Sequence, residues 1–408
     1  MRIESVDFFY AAMPHVTLEG DGSQDALLVR VVAGGHIGWG ECEASPLVSI
    51  AAFVAPRSHG ACQPVADSVL GQRLDSVADI ARISALVTRN SMDLLQAAHT
   101  FSGIEMALWD LLGRVREEPV WRLLGYEASH PKVPYASMLF GATPADTFEH
   151  GRAAIARGFH AVKFGWSGFG EGTVSEDADQ VMAAREAIGT DGTLLVDAGQ
   201  AWGDDVDAAT LRLAALEAAG VYWLEEPFLP DAYSAHASLA ARAVTVGIAG
   251  GEGAHTARMA TNLIDYGAVR FVQVDTGRIG GIGPAKAVAD YAAARGVTFV
   301  NHTFTTHLAL SASLQPFAGL AEHRICEYPA EPKQLAVDVS DHLPIDRDGL
   351  IRAPEAPGLG VGVDLDAVAP YLRDVEITVA GVKLYASSEI ADRVLQASEG
   401  PGGIAWGE

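Results

Sequence analysis

The sequence predicts an α/β protein whose main domain is a β/α barrel, preceded by a smaller α+β domain. From Val133 onward, short β-type runs alternate with helix-type segments, giving eight strands and seven helices between them. The strands recur at a spacing of roughly 25–30 residues, typical of parallel strands joined by helical crossovers. Eight such units within about 200 residues favour a closed barrel over an open sheet.

The predicted barrel strands are short and largely apolar. In chain order they are VPYASMLF, HAVKFGW, TLLVDAG, VYWLEEP, TVGIAGGE, VRFVQVD, VTFVNHTF and ICEYP. Segments with apolar residues at helical spacing separate them, among them ADTFEHGRAAIARG and SEDADQVMAAREAIG. In a parallel barrel the carboxyl ends of all strands open onto one mouth, so residues at these ends are candidates for the functional site.

The first 130 residues have a different pattern. LLVRVVAGG and IGWGECE predict a β-hairpin that turns near Gly34, and helical spacing extends from Ser76 to Tyr126. Residues 45–68 show no clear period and contain three prolines, which predicts a long loop. The tail after Pro354 is β-like. We therefore expect a capping domain over 1–130, completed by about 365–408, and a barrel domain over 131–364.

Composition excludes several classes of partner. The 408-residue chain is 49% hydrophobic, enough for a large core, and carries a formal net charge of −24. Nucleic acids and anionic membranes bind basic surfaces, so neither is an expected partner. The three cysteines are scattered without CxxC spacing, which favours a reducing compartment. With no signal-peptide core and no long apolar run, the expected location is the cytoplasm.

Ionisable residues end seven successive predicted strands. An isolated aspartate at a strand end is more often a helix cap than a ligand, and a lone buried histidine is usually only hydrogen-bonded in place. So many carboxylates around one mouth would repel one another strongly without a cation, which favours a functional set. These residues are Lys163, Asp197, Glu225 with Glu226, Glu252, Asp275, His302 and Glu327.

Three carboxylates are placed for metal binding. Asp197, Glu225 and Glu252 follow one another at 28 and 27 residues, one barrel unit each. Neighbouring parallel strands would bring them side by side, and an oxygen-only ligand set suits a hard cation such as Mg²⁺ rather than zinc. Side chains alternate along a strand, so only one of Glu225 and Glu226 faces inward, and the pattern leaves open which one.

A second pair predicts acid–base chemistry. Asp275 and His302 are 27 residues apart, again one barrel unit. An aspartate beside a histidine fixes the imidazole tautomer and raises its pKa, which makes the histidine a general acid or base. Lys163 stands alone in an apolar strand that otherwise has the pattern of a buried strand.

Several motifs together resemble the enolase superfamily, in its mandelate racemase and muconate lactonizing enzyme branch. They are WLEEP, AGGE, DTGRIGG, the histidine of NHTF, PGLGV and the helix SGIEMALWDLLGRV. The resemblance covers nearly the whole chain. It implies a modified TIM barrel, (β/α)7β, under an N-terminal α+β capping domain. It also implies one Mg²⁺ held by Asp197, Glu225 and Glu252, and proton abstraction next to a carboxylate through an enediolate. His302 and Asp275 would act as the acid–base dyad, and Glu327 would donate a hydrogen bond to the carboxylate. Because a cation stabilises the charge of the enediolate, we expect Lys163 to be an inward-facing catalytic cation rather than a surface residue.

The chain departs from the family pattern at two positions. Many relatives carry Lys-x-Lys at the end of the second barrel strand, whereas this chain has Lys163 and Gly165. A two-base racemase needs a base on each face of the substrate, so the single lysine favours one-base dehydration. Gly199 replaces an asparagine that is frequent in relatives. Arg278 is expected either to orient the dyad or to bind loop carbonyls.

The expected substrate is a small carboxylate. A His–Asp dyad in this family favours dehydration of an acid sugar to a 2-keto-3-deoxy acid. A racemase or epimerase of a 2-hydroxy acid or amino-acid derivative is the alternative, and a non-catalytic metal- or ligand-binding relative is a third reading. Candidate substrate contacts in the loops are His15, Arg57, His59 and Trp166. The resemblance also implies a homo-oligomer.

Overall fold

The computed structural model describes residues 1–43 and 45–390 of the chain. Its N-terminal part is a three-stranded antiparallel sheet in the order β1–β2–β3, packed against helices. The strands are β1 Ile3–Ala12, β2 Asp25–Ala33 and β3 His36–Cys42, and the helices are α1 Pro46–Val54, α2 Val65–Val69, α3 Val77–Asn90, α4 Ala97–Arg116 and α5 Val120–Leu123.

Eight parallel strands and seven intervening helices follow. The strands are β4 Val133–Leu139, β5 Ala161–Gly165, β6 Thr193–Asp197, β7 Val221–Glu225, β8 Gly247–Gly250, β9 Phe271–Asp275, β10 Thr298–His302 and β11 Ile325–Pro329. The helices are α6 Pro144–Ala156, α7 Val174–Ile188, α8 Val206–Ala218, α9 Tyr233–Ala240, α10 Ala257–Tyr266, α11 Ile282–Ala294 and α12 His307–Leu314. The sheet runs β10-β9-β8-β7-β6-β5-β4-β11, a nearly closed barrel. This confirms the predicted fold class.

The barrel closes at the seam between β10 and β11, the two ends of the hydrogen-bonded sheet. There the side chain of Asn301 accepts a hydrogen bond from the backbone N–H of Glu327 at 2.9 Å. Its amide nitrogen donates to the Glu327 carbonyl at 3.3 Å and to the Ser313 hydroxyl at 2.9 Å. The sheet has no backbone ladder between β10 and β11, and the Asn301 side-chain amide takes the place of a backbone peptide group there.

The prediction of a long loop over 45–68 is wrong for two parts of that segment. Helix α1 occupies Pro46–Val54 and α2 occupies Val65–Val69. The run PLVSIAAFV is apolar nearly throughout, so it gives no amphipathic period. Ile50 and Phe53 are buried in the core of the capping domain, and tertiary packing stabilises the helix.

Helix α4 joins the capping domain to the barrel. The carboxylate of Glu105 accepts hydrogen bonds from the N–H groups of Ile282 and Gly283 at 2.7 and 2.9 Å, at the start of α11. The Ser102 hydroxyl accepts from the Gly280 N–H at 2.8 Å. A carboxylate at a helix N-terminus is favourable, because free N–H groups and the helix dipole meet it there.

The chain after the barrel returns to the capping sheet. It contains α13 Gln334–Asp338, α14 Leu365–Val368 and the hairpin β12 Glu376–Val379 with β13 Val382–Ala386. The Arg373 N–H donates to the Tyr10 carbonyl, and the Tyr385 hydroxyl donates to the Phe8 carbonyl. The domain boundaries at 130 and 364 stay predictions, and residues 391–408 of the expected completing segment lie outside the described residues. In the described chain, every helix is too short or too polar to cross a membrane.

Candidate active site

Strand register brings the predicted residues to one level of the barrel mouth. Gly165 pairs with Asp197, and Asp197 pairs with Glu225, across three neighbouring strands. On the other side of the barrel, Asp275 pairs with His302. A layer of apolar side chains fills the barrel interior, as in a packed barrel core. It contains Tyr135, Ala161, Leu195, Trp223, Ala249, Phe271 and Val300.

The structure brings the three predicted metal ligands together. Oxygen atoms of Asp197, Glu225 and Glu252 all lie within 4.8 Å of one another, and all three side chains are buried. Burial raises the pKa of Asp197 to about 6, even though the Lys163 ammonium opposes the shift. Buried carboxylates at this separation repel each other as anions. The donor set and its burial therefore fit a hard divalent cation such as Mg²⁺.

The structure also answers the question of which glutamate faces inward. Glu225 points into the barrel, where it accepts hydrogen bonds from Lys163 Nζ at 2.7 Å and from Trp223 Nε1 at 3.0 Å. Glu226 points away from the trio and accepts from Gln200 Nε2 at 2.6 Å and from the Gly253 N–H at 3.2 Å. Both carboxylates are buried, but only Glu225 belongs to the cluster.

Lys163 is an inward-facing buried cation, with 3% of its surface exposed. Its ammonium lies 2.7 Å from Glu225 Oε1, 2.8 Å from Glu327 Oε1 and 3.5 Å from Asp197 Oδ2. Burial alone would lower the pKa of this lysine, but the surrounding carboxylates raise it well above its usual value. Lys163 is therefore held as a cation.

His302 and Asp275 form the predicted dyad. The Nδ1–H of His302 donates to Asp275 Oδ2 at 2.6 Å, which leaves Nε2 facing the cavity. Nε2 lies 3.1 Å from Glu252 Oε2 and 3.9 Å from Glu327 Oε2. Burial would lower the pKa of His302, but Glu252, Glu327 and Asp275 raise it to about 10. A cation on the trio would offset the charge of Glu252 and bring this pKa down.

Arg278 binds a loop carbonyl, as one of the two expectations had it, but its main partners are two carboxylates. Its guanidinium forms a bidentate pair with Glu43 of the capping domain, at 2.7 and 2.9 Å. The same guanidinium lies 3.1 Å from Glu252 Oε1 and donates to the Glu252 carbonyl at 3.3 Å. Arg278 thus ties the capping domain to a residue of the trio rather than to Asp275. Glu43 was not predicted as a site residue, although it is the last residue of the predicted strand IGWGECE and directly follows β3.

A cavity of about 250 Å³ lies above this cluster. Its inner wall contains Lys163, Asp197, Glu252 and His302. The capping domain contributes Glu19–Gly22 and Glu43 to the lining, and the barrel adds Arg278 and a set of uncharged residues. The uncharged residues are Ser137, Met138, Leu139, Gly165, Trp166 and Phe304.

Of the four predicted substrate contacts, the structure places only Trp166 in this cavity. His15 is exposed and does not line it. Arg57 pairs with Asp67 at 2.6 Å, and His59 pairs with Asp93 at 3.2 Å, both on the surface of the capping domain. The capping domain instead reaches the cavity through Glu19–Gly22 and Glu43, which no spacing pattern had marked.

Two glycines at the mouth adjoin bulky neighbours. A β-carbon at Gly165 would come within 2.7 Å of the Asp197 β-carbon. A β-carbon at Gly199, whose φ is +52°, would come within 2.9 Å of the Trp166 indole. The indole also lies against Gly20 of the capping domain. Trp166 itself has a φ of +57°, so its side chain is held across the mouth by a left-handed backbone.

The fold is a β/α barrel with an α+β capping domain, and its mouth carries three clustered carboxylates and a His–Asp dyad. This combination is typical of enolase-type barrel proteins. Family models agree. Residues 8–125 match the mandelate racemase/muconate lactonizing enzyme N-terminal domain, and residues 147–367 match the enolase C-terminal domain-like family. The chain belongs to the enolase superfamily, in its mandelate racemase/muconate lactonizing enzyme branch.

Individual relatives span most of the chain. A D-galactarolactone cycloisomerase of Agrobacterium fabrum is 29% identical, over 83% of this chain and 88% of its own. An L-talarate/galactarate dehydratase of Salmonella typhimurium is 32% identical, over 72% of this chain and 71% of its own. A solved structure described as a predicted mandelate racemase from Rhodobacter sphaeroides is 65% identical, with a TM-score of 0.91, and covers 95% of this chain and 99% of that one.

Proposed function

We propose that the protein removes the proton α to the carboxylate of an acid sugar and expels the β-hydroxyl, giving a 2-keto-3-deoxy acid, with Mg²⁺ as cofactor. The observation that carries this proposal is the one-sided placement of the base. His302 faces the cavity beside the carboxylate trio, whereas the position two residues beyond Lys163 is a glycine. The names of relatives, which include acid-sugar dehydratases, support the same chemistry.

The metal ligands would be Asp197, Glu225 and Glu252. A divalent cation bound there would supply a positive charge that stabilises the negative charge developing on the substrate carboxylate. Lys163 adds a fixed ammonium at the same place. Because removal of an α-proton puts charge on the carboxylate oxygens, preorganised cations near those oxygens favour the transition state over the ground state.

The proton moves through His302. Its Nε2 accepts the α-proton, and the C–H electron pair moves into the substrate carboxylate, which becomes an enediolate. The enediolate then collapses: its electron pair forms the carbon–carbon double bond, the β C–O bond breaks, and the Nε2–H protonates the leaving oxygen, which departs as water. The enol product tautomerises to the 2-keto acid. Asp275 holds Nδ1–H and stabilises the imidazolium between the two transfers. The reaction releases one water and needs no redox partner.

Glu327 has a supporting place in this scheme. One of its oxygens lies 2.8 Å from Lys163 Nζ, and the other accepts the Thr303 N–H at 2.7 Å. The carboxyl group is fully buried at the seam of the barrel. The hydrogen bond from Glu327 to the substrate carboxylate, which the family resemblance implies, stays part of this proposal.

Cycloisomerisation is the second candidate, favoured by the relative that covers 83% of this chain and is named a cycloisomerase. The same base would act, and the leaving group would be a ring oxygen instead of a hydroxyl. The two reactions differ in product mass, because dehydration loses one water and ring opening loses none. A mass spectrum of the product therefore separates them.

Racemisation or epimerisation is less well supported by the site. A two-base mechanism needs a second group that can accept a proton on the face opposite His302. Lys163 is held as a cation by three carboxylates, and Gly165 has no side chain. A non-catalytic binding role is also less well supported, because binding a ligand does not require a His–Asp acid–base dyad.

The test is a screen of the purified protein with Mg²⁺ against a library of acid sugars and their lactones, with semicarbazide to detect 2-keto acids. A hit that disappears in His302→Asn, and persists in the exposed control His36→Asn, is the expected result. Exchange of the α-proton in D₂O without keto product would contradict elimination and favour epimerisation. No turnover and no exchange on any compound would overturn the proposal.

A further inference from the structure

The outer half of the cavity is acidic, and the cations of the site are all engaged elsewhere. The capping segment Glu19–Gly22 brings two carboxylates, Glu19 and Asp21, to the cavity wall. Asp21 is nearly buried, with 8% of its side chain exposed, whereas Glu19 is 54% exposed. Apart from Arg278 and the residues of the cluster at the strand ends, the described barrel residues of the lining are uncharged.

Each positive group that lines the cavity already has anionic partners. Lys163 is surrounded by Glu225, Glu327 and Asp197. Arg278 holds Glu43 with two hydrogen bonds and also pairs with Glu252. Among the described residues that line the cavity, no cation is therefore left to neutralise an anion at the outer end.

His302, the remaining basic side chain of the lining, lies against Asp275 and Glu252. Its Nε2 is the atom that the proposed reaction uses, so it is engaged at the reacting carbon. A second carboxylate at the other end of a sugar chain would lie several bonds away from it.

One further cation lies near the acidic wall. Lys333 Nζ is 3.4 Å from Glu19 Oε2 and 3.4 Å from Asp21 Oδ2, and the Lys333 N–H donates to the Ser23 hydroxyl. Lys333 is not among the lining residues, and its ammonium bridges the two carboxylates. Two carboxylates and one ammonium leave a net negative charge at the outer wall.

We propose that the substrate is a monocarboxylate sugar acid whose end remote from the carboxylate is an uncharged hydroxyl-bearing group, and that Glu19 and Asp21 select against dicarboxylates. This inference deepens the proposed function and rests on it for the placement of the reacting carboxylate at the inner end. Hydroxyl groups donate hydrogen bonds to carboxylates, so the acidic wall suits a polyol chain or a sugar ring.

A dicarboxylate meets the opposite situation. Its second carboxylate would lose water while facing two anions without a free cation, and like charges brought together at an interface are strongly unfavourable. Specificity here comes from repulsion of the wrong ligand as well as from hydrogen bonds to the right one.

Binding, measured apart from turnover, tests this inference. The probes are matched pairs of an aldonate and an aldarate of the same configuration, which differ only in a terminal hydroxymethyl or carboxylate. Dissociation constants are measured by calorimetry on the full-length His302→Asn protein with saturating Mg²⁺, so that no pair is consumed. We expect the aldonate of at least one pair to bind, and to bind at least about tenfold more tightly than its aldarate.

A charge reversal provides the second arm. Glu19→Lys in the same background is expected to reduce or reverse the preference for the aldonate, by about tenfold in the ratio of dissociation constants. Glu149→Lys, an exposed substitution on the outer helix α6, is the matched control and should leave the ratio unchanged. The inference would be overturned if the His302→Asn protein, which retains Glu19, bound aldarates as tightly as aldonates or more tightly. It would also be overturned if no compound of any pair bound.

Failure of the proposed function gives a different result. If aldonates bind selectively but the wild-type protein neither exchanges their α-proton nor forms product, the binding inference holds and the assigned reaction is wrong. If aldarates bind preferentially and are dehydrated, the reaction holds and the charge selection is wrong.

Discussion

Gly165 lies in register with Asp197 on the adjacent strand, and a β-carbon at Gly165 would come within 2.7 Å of the Asp197 β-carbon. Real β-carbons do not approach so closely, so any side chain at position 165 must displace the neighbouring carboxylate. The absence of a second lysine at position 165 is therefore tied to how closely the backbone approaches Asp197 there. The glycine and the packing of a proposed metal ligand depend on each other.

The substitution Gly165→Ala tests this dependence. We expect it to weaken Mg²⁺ binding about tenfold, or about 1.4 kcal/mol, because Asp197 must move away from Glu225 and Glu252. Titration calorimetry with Mg²⁺ measures the change. Gly60→Ala, at an exposed position with open space around the added carbon, is the matched control and should bind Mg²⁺ like the wild type. Unchanged Mg²⁺ affinity in Gly165→Ala would show that the strand accommodates the methyl group.

The contact between Gly199 and Trp166 predicts a non-additive pair. Gly199→Ala alone places a methyl group about 3 Å from the indole and on a left-handed backbone, and should destabilise the protein by roughly 1–3 kcal/mol. Adding Trp166→Gly removes the clash, so the double variant should be more stable than the sum of the single effects. Thermal unfolding of all four proteins in the cycle measures the coupling, and simple additivity would contradict the contact.

The seam of the barrel depends on one side chain. Asn301→Ala leaves the backbone N–H and carbonyl of Glu327 without the partners described above, in a fully buried place. We expect a loss of roughly 2–4 kcal/mol in the free energy of unfolding, because buried unpaired polar groups carry a desolvation cost. Denaturant unfolding measures it. Asn262→Ala, on the outer helix α10, should cost less than about 0.5 kcal/mol.

A buried histidine predicts how stability depends on pH. Burial and the nearby His342 ring lower the pKa of His307 to about 3, and its Nδ1 accepts the Leu343 N–H at 2.9 Å. Between about pH 3 and pH 6.5 the unfolded chain binds a proton at this residue that the folded chain does not. The contribution of His307 to stability is therefore complete above pH 6.5 and is lost progressively as the pH falls toward 3.

Replacement of His307 by asparagine removes this proton and can keep an acceptor for the Leu343 N–H. We expect the variant to be less stable at pH 7 but to lose stability less steeply below pH 6.5, by up to about 1.4 kcal/mol per pH unit. The unfolding temperature measured from pH 7 to pH 4.5 reports the slope. The exposed His36→Asn is the control, and parallel curves for wild type and His307→Asn would exclude this source of acid sensitivity.

The regular parts of the molecule follow from sequence periodicity. All eight barrel strands and the seven helices between them lie where the alternation predicts, because every unit repeats the same crossover. The carboxyl ends of the strands form the mouth of the barrel. Four residues at these ends could therefore be predicted from the sequence as site residues, namely Asp197, Glu252, Asp275 and His302. Alternation along one strand could not decide between Glu225 and Glu226, since that choice depends on the neighbouring strands.

Contacts between distant segments could not be predicted. Glu43 and Arg278 are 235 residues apart, and no local pattern links them. The same is true of Glu19, which reaches the cavity from a loop before β2, whereas His15, four residues earlier, does not. Helix α1 was missed for the opposite reason, because a segment buried on several sides shows no amphipathic period. Loops carry their meaning through three-dimensional placement, which sequence spacing does not record.

The guanidinium of Arg278 is shared between Glu43 in the capping domain and Glu252 in the barrel. If the capping domain moves and Glu43 separates from Arg278, the guanidinium pairs with Glu252 alone. Glu252 is then a weaker ligand for a divalent cation, because its carboxylate is already paired with Arg278. The position of one domain and the cation affinity of the other are thus thermodynamically linked. By reciprocity, binding of a cation should favour the position of the capping domain in which Glu43 pairs with Arg278. A site that holds its cation is then also one that the capping domain closes off from solvent.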